Sequence, residues 1–204
     1  MSEKRKLYYV YDPMCSWCWG FKPTWKQLEQ KLHNHVEIQY VVGGLAPDTL
    51  EPMPMQMKEQ IASYWHKIER LLGTQFNHDF WKNNEPSRST YPSCRAMLLA
   101  REKGLEKQML SRVQEAYYLE AKNPSDPIVL ATLAQEIGFD FDSFLSDLVS
   151  NSVNEALLEE LKFARSIGGN SFPSLFVETS EGIVEIPIDY QDSESMFIKI
   201  SALF

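Results

Sequence analysis

The chain of 204 residues carries a formal charge of −8, with 44% hydrophobic and 24% charged residues. That balance supplies an ordinary globular core without covalent staples, and the negative sum disfavours nucleic acid or an anionic membrane surface as the main partner. The apolar runs are too short to span a bilayer, and the charged residues 1–6 lead into a strand pattern rather than an apolar signal region, so the expected location is cytoplasmic.

Leu7-Tyr8-Tyr9-Val10-Tyr11 reads as a short first strand. It runs into Asp12-Pro13-Met14-Cys15-Ser16-Trp17-Cys18-Trp19-Gly20-Phe21, where two thiols stand three positions apart. Trp17, Phe21, Trp25, Leu28 and Leu32 have helical spacing and share one face. Cys15 is therefore expected at the N-terminus of a helix, where unpaired N–H groups and the positive end of the dipole favour thiolate over thiol. Cys18, one turn inside, is placed to attack a mixed disulfide formed at Cys15. Pro23 removes a ladder donor and is expected to kink or loosen this helix.

Val36, Ile38, Tyr40 and Val42 alternate along a second strand that Gly43-Gly44 ends. Strand, helix, strand in this order makes a βαβ unit with parallel strands. For about a hundred residues β-signals then vanish, far beyond an ordinary connection. Helical patterns occupy 57–72, 93–101, with Pro92 before it and Gly104 as its stop, and 107–121. Asp126-Pro127 reads as an N-cap with Pro at N1, and Gly138 as the matching C-cap. A shorter helix covers 141–149, and Ser152-x-x-Glu155 fits a capping box for a helix ending at Gly168-Gly169. Strands return at 174–178 and 183–186 around a Glu181-Gly182 turn, and a helix over 193–203 closes the chain. The order β-α-β, helical insertion, α-β-β-α is an α/β thioredoxin fold with a large helical insertion. Residues 1–50 and 152–204 supply the two halves of the thioredoxin unit and 51–151 the insertion.

The motif around Cys15 and Cys18, together with Val42-Gly43-Gly44-Leu45, Pro92-Ser93-Cys94-Arg95-Ala96 and Phe172-Pro173-Ser174, resembles the DsbA family of thiol–disulfide oxidoreductases. The likeness is greatest to its FrnE-like, protein-disulfide-isomerase subgroup. The resemblance implies a cis peptide bond before Pro173, in a loop that binds substrate backbone beside the reactive sulfur and keeps metals away, with Phe172 nearest the dithiol. The dipeptide Ser16-Trp17 stands where the secreted relatives have Pro-His, so the direction of electron flow does not carry over.

The expected activity is dithiol–disulfide exchange with protein or small-molecule thiols and disulfides, Cys15 as nucleophile and Cys18 as resolving thiol. Trp17 and Trp19 are expected to form an apolar rim for a peptide-like substrate. The alternatives are a glutathione-dependent isomerase or transferase of the same superfamily, and a non-catalytic peptide-binding module on the same scaffold. No cofactor is expected beyond glutathione as a redox partner. A structural zinc site needs about four ligands, and only Cys94 and the scattered His33, His35, His66 and His78 remain, so no metal is expected. Cys94 reads as packed core, with a third redox thiol as the alternative. Asp12 reads as a cap of the turn into Pro13, with proton transfer at Cys18 as the alternative. Met53, Met55 and Met57 read as loop packing, and the acidic residues between 140 and 160 as a solvated helix face.

Overall fold

The computed structural model describes residues 5–203; the charged residues 1–4 fall outside it. β1 (Arg5–Tyr11) lies at the centre of a four-stranded sheet of order β2-β1-β3-β4. It runs parallel to β2 (Val36–Val42), Tyr9 opposite Tyr40. On its other side it is antiparallel to β3 (Ser174–Thr179), which forms a hairpin with β4 (Gly182–Ile186). The strand alternation divides β1 between two layers. Leu7, Tyr9 and Tyr11 face α1 (Ser16–Leu32) in the main core cluster, and Tyr8 and Val10 face Ala164 and Phe163 on the other side. Tyr9 and Trp25 stack with centroids 4.3 Å apart, which fixes α1 against the strand that precedes it.

The βαβ unit, the parallel pairing and the closing hairpin follow the sequence expectation, as does the helical insertion. Between β2 and α8 (Asn151–Ser166) come α2 (Met55–Leu72), α3 (Phe80–Asn83), α4 (Tyr91–Glu102), α5 (Glu106–Tyr118), α6 (Pro127–Glu136) and α7 (Phe141–Leu148). α9 (Ser193–Ser201) packs beside α1. α4 is the axis of the insertion, buried from Pro92 to Leu98.

Several local details differ from the sequence reading. α3, a single turn, has too few residues to show a period. α4 begins at Tyr91, so Pro92 lies inside its first turn, where a missing N–H is harmless. α8 is capped by Ser150, whose side chain accepts from Val153 N, and not by Ser152. α1 runs unbroken through Pro23, because the packed face of Phe21, Trp25 and Leu28 holds both sides of the lost ladder bond. Asp126 and Pro127 do start α6, with the carboxylate accepting from Ile128 N, and Gly138 lies just past the Ile137 C-cap at φ 101. The methionine run splits: Met53 is buried, Met57 packs on the same aromatic cluster, and Met55 is exposed at the start of α2. Glu160 departs from the solvated acidic face, since it accepts from Val42 N and from Arg101.

Two apolar contacts help join the insertion to the thioredoxin half. Gly20 lets α1 approach α2, since a Cβ there would lie 2.9 Å from Ile68 Cγ2 and 3.0 Å from Leu72 Cδ1. Met14 and Trp19 belong to a second apolar cluster with Met53, Ile61, Trp65, Phe80, Tyr117 and Tyr118, all from the insertion. No helix among the described residues is long and apolar enough to cross a membrane.

Candidate active site

β1 delivers the chain to Asp12 just past the end of the central strand, and the next three residues turn it into α1. The Asp12 side chain sets this turn. Oδ1 accepts from Met14 N at 2.8 Å, and Cys15 N donates to the Asp12 carbonyl at 3.0 Å. Oδ2 accepts from Leu45 N and the Thr90 hydroxyl, each at 2.7 Å, with the Cys94 thiol at 3.5 Å. A fully buried carboxylate thus gathers the cysteine turn, the Gly43-Gly44 turn and the start of α4. Burial pushes its pKa above the usual carboxylate value, against the lowering effect of the donors from Leu45, Thr90, Met14 and Cys94.

Cys15 is the N-cap of α1, in extended backbone with φ −79 and ψ 115. It makes no side-chain capping bond, and its sulfur instead meets the loop after α8. There the Phe172 carbonyl stands 3.4 Å from Sγ, immediately before Pro173. The Phe172–Pro173 peptide is cis. Cys15 is 7% exposed and Cys18 1%, so the first thiol lies in a narrow opening and the second beneath it. The two cysteines are close neighbours, and all three cysteines are free thiols.

Cys18 is pushed well above the ordinary thiol value, first by burial and then by the hydrogen bond and charge of Cys15. The Asp12 backbone N–H works in the opposite direction, while the Asp12 charge adds to the rise. Tyr9 lies beside the same sulfur, and burial followed by the Cys18 charge pushes the Tyr9 pKa up. Cys94 is fully buried, and burial first, then the Asp12 charge, raises its pKa well above the ordinary value.

The remaining expected site residues occupy distinct places. Trp17 is partly buried, 5.2 Å from the Tyr190 ring, with the Lys67 amine 5.8 Å above it. Trp19 points into the insertion, stacked 5.4 Å from Tyr118, its Nε1 donating to Gln75 O at 3.0 Å. The two indoles therefore belong to different apolar clusters. Phe172 covers Gly43 closely: a Cβ on Gly43 would meet Phe172 Cε1 at 2.0 Å. Arg165 sits 5.5 Å from the Phe172 ring and donates to Gly43 O at 2.7 Å and to Gly169 O at 2.5 Å, tying the two loops together. Sequence reasoning missed Thr90 and Arg165. Both act through contacts distant in the chain, and neither has a local signature beyond the helix start at Tyr91-Pro92 for Thr90. Of the histidines read as scattered, His66 and His78 in fact meet at Glu69.

A family model described as Thioredoxin matches residues 8–196. Among solved structures the chain is similar to a "putative protein disulfide isomerase" from Nitrosomonas europaea, 26% identical, TM-score 0.84, covering 98% of this chain and 97% of that one. It also resembles the cytosolic disulfide reductase DsbM from Pseudomonas aeruginosa in fold, at 20% identity and TM-score 0.77, covering 97% of each chain. The ClpXP adapter protein SpxH of Halalkalibacterium halodurans is 26% identical over 197 residues, which are 90% of this chain and 62% of the relative. SpxH of Bacillus subtilis is 26% identical over 174 residues, 83% of this chain and 57% of the relative. The chain thus spans about 60% of the length of these curated relatives. The matched residues include the second half of β1, the Cys15–Cys18 turn, the helical insertion and the Phe172–Pro173 loop, and the chain belongs to the thioredoxin family, with the architecture of its DsbA-like oxidoreductases.

Proposed function

We propose that the chain is a thiol–disulfide oxidoreductase acting through Cys15 and Cys18. The observation that carries this reading is the sulfur pair at the N-terminus of α1: Cys15 faces the Phe172 carbonyl at the mouth, and Cys18 touches it from below. In the reductive direction the Cys15 thiolate attacks one sulfur of a substrate disulfide. That bond breaks, a mixed disulfide forms, and the first substrate thiol leaves after taking a proton from solvent. The Cys18 thiolate then attacks the Cys15 sulfur, expelling the second substrate thiol and leaving a Cys15–Cys18 disulfide. Two equivalents of a small-molecule thiol restore the dithiol and are themselves oxidised to a disulfide. Glutathione suits that role: a DsbM structure is described with GSH. Phe172 and Pro173 would hold substrate backbone at the mouth, with Trp17 as the partly open aromatic wall. Oxidation runs the same steps backwards, isomerisation needs only Cys15 to attack and later be expelled, and a reducing cytoplasm, the setting named for DsbM, favours the reductive direction.

A second reading is favoured by the curated relatives, which are named as ClpXP adapters: the mouth holds a protein segment without turnover. Insulin reduction driven by glutathione separates the two. Turnover by the wild type that disappears in Cys15→Ser, with Cys18→Ser accumulating a trapped mixed disulfide, is the expected result. A reduced wild-type protein that leaves insulin reduction at the uncatalysed rate would sink the enzymatic reading and leave the binding one.

A further inference from the structure

α2 carries His66 and Glu69 three positions apart, hence on one face of the helix. Gly73, in the left-handed region at φ 69, ends α2 with its N–H on Glu69 O and reverses the chain. Phe76 then stacks on Trp65 at 4.9 Å, and this anchors the returning segment against the helix it has just left. His78 is thereby laid over His66, ring centroids 4.2 Å apart and planes 13° from parallel. Both imidazoles direct a nitrogen at the same carboxylate. His66 Nδ1 is 3.1 Å from Glu69 Oε2, and His78 Nε2 is 2.8 Å from Glu69 Oε1. Among the described residues, no lysine or arginine pairs with Glu69.

We propose that His66, Glu69 and His78 form a binding site for a divalent transition-metal ion of the zinc class. The three donor atoms lie within 4.8 Å of one another. Tetrahedral zinc, with bonds of about 2.0–2.1 Å, needs donors roughly 3.3 Å apart. The two His–Glu separations, 3.1 and 2.8 Å and each to its own carboxylate oxygen, are already slightly inside that spacing, and the adjustment that remains falls to His66, whose side chain is 61% exposed and can turn. Two imidazole nitrogens and one carboxylate oxygen suit zinc, cobalt or nickel; magnesium and calcium prefer all-oxygen shells. Three protein donors leave one position for water. The ion would clamp the segment after Gly73 onto α2. The site is separate from the cysteines, although Trp65, which packs 5.8 Å from His78, also donates from Nε1 to Ser16 Oγ at 2.9 Å.

The test uses untagged full-length protein carrying Cys15→Ser and Cys18→Ser, so that the dithiol cannot take the metal. Titration calorimetry with zinc chloride should show one ion per chain. Cobalt(II) should give visible d–d absorption. His78→Ala and Glu69→Gln should each weaken zinc by at least about tenfold, since even outer partners of a metal site cost 10–100-fold. A His33→Ala/His35→Ala control should leave affinity unchanged. His66→Ala, at the most exposed ligand, repeats the test in a variant whose far-UV spectrum reports folding. Absence of saturable zinc binding at millimolar metal, or binding that survives both His66→Ala and His78→Ala, overturns the site.

Discussion

Cys18 is fully enclosed, with Cys15, Asp12 and Tyr9 around its sulfur. Burial keeps it protonated near neutrality, so resolution of a mixed disulfide is limited by the small thiolate fraction. That fraction rises about tenfold per pH unit below the pKa. Release of the second substrate thiol, followed by stopped flow on a preformed Cys15 mixed disulfide, should therefore accelerate about tenfold per unit as pH is raised from neutral. A flat profile would mean that Cys18 is already ionised. Asp12 plays a different part, as the common acceptor for three loops. In Asp12→Asn an amide NH2 must face either Met14 N–H or Leu45 N–H, and one buried donor loses its acceptor. The expected loss is about 1–3 kcal/mol in urea unfolding; an unchanged midpoint would show that the turn rearranges without cost. The sequence made the turn-capping role of Asp12 readable from its neighbour Pro13, but Leu45 and Thr90 lie 33 and 78 positions away and gave no local sign.

The elements that had a period or a cap in the sequence were legible; those defined by contact were not. α1, β1 and β2 follow from alternation and helical spacing, and α6 from Asp126-Pro127. α3 and the true cap of α8 depend on how short turns fit between neighbours, which a one-dimensional pattern does not encode. The Gly43 turn is the informative case. Apart from its place in a stretch shared with the DsbA family it read as a strand end, yet it is the surface on which Phe172 rests. In Gly43→Ala the new methyl cannot coexist with the ring as placed, so Phe172 must leave its position beside Arg165. Overpacking of this kind costs about 1–3 kcal/mol. Because the Phe172 carbonyl borders Cys15, alkylation of Cys15 by iodoacetamide should be faster in the variant than in the wild type. Equal rates would mean that the aromatic side chain moves without its backbone.

Across the whole molecule, the order of elements and the site of the insertion were readable, but the charged centre that joins them was not. Arg101, at the end of α4, donates to Glu106 at the start of α5, to Glu160 of α8 and to the Tyr40 carbonyl of β2. Glu106 also accepts from Tyr11 of β1, and Glu160 from Val42 N. One guanidinium therefore links the sheet to both parts of the chain. Removing it in Arg101→Met leaves two largely buried carboxylates side by side. The expected cost is about 3 kcal/mol in urea unfolding, the low end for breaking a buried pair, since Arg101 is itself one-third exposed. A loss under about 0.5 kcal/mol would show that water replaces the cation fully.

The seam formed by Met14 and Trp19 with Trp65, Phe80 and Tyr118 has a consequence for how such a protein can change over time. The reactive loop supplies one wall of that seam and the inserted helices supply the other. A shortened descendant that discarded the helices would bare the flank of its own sulfur-bearing turn to water. The two portions are bound to vary together, each constrained by the shape of its opposite.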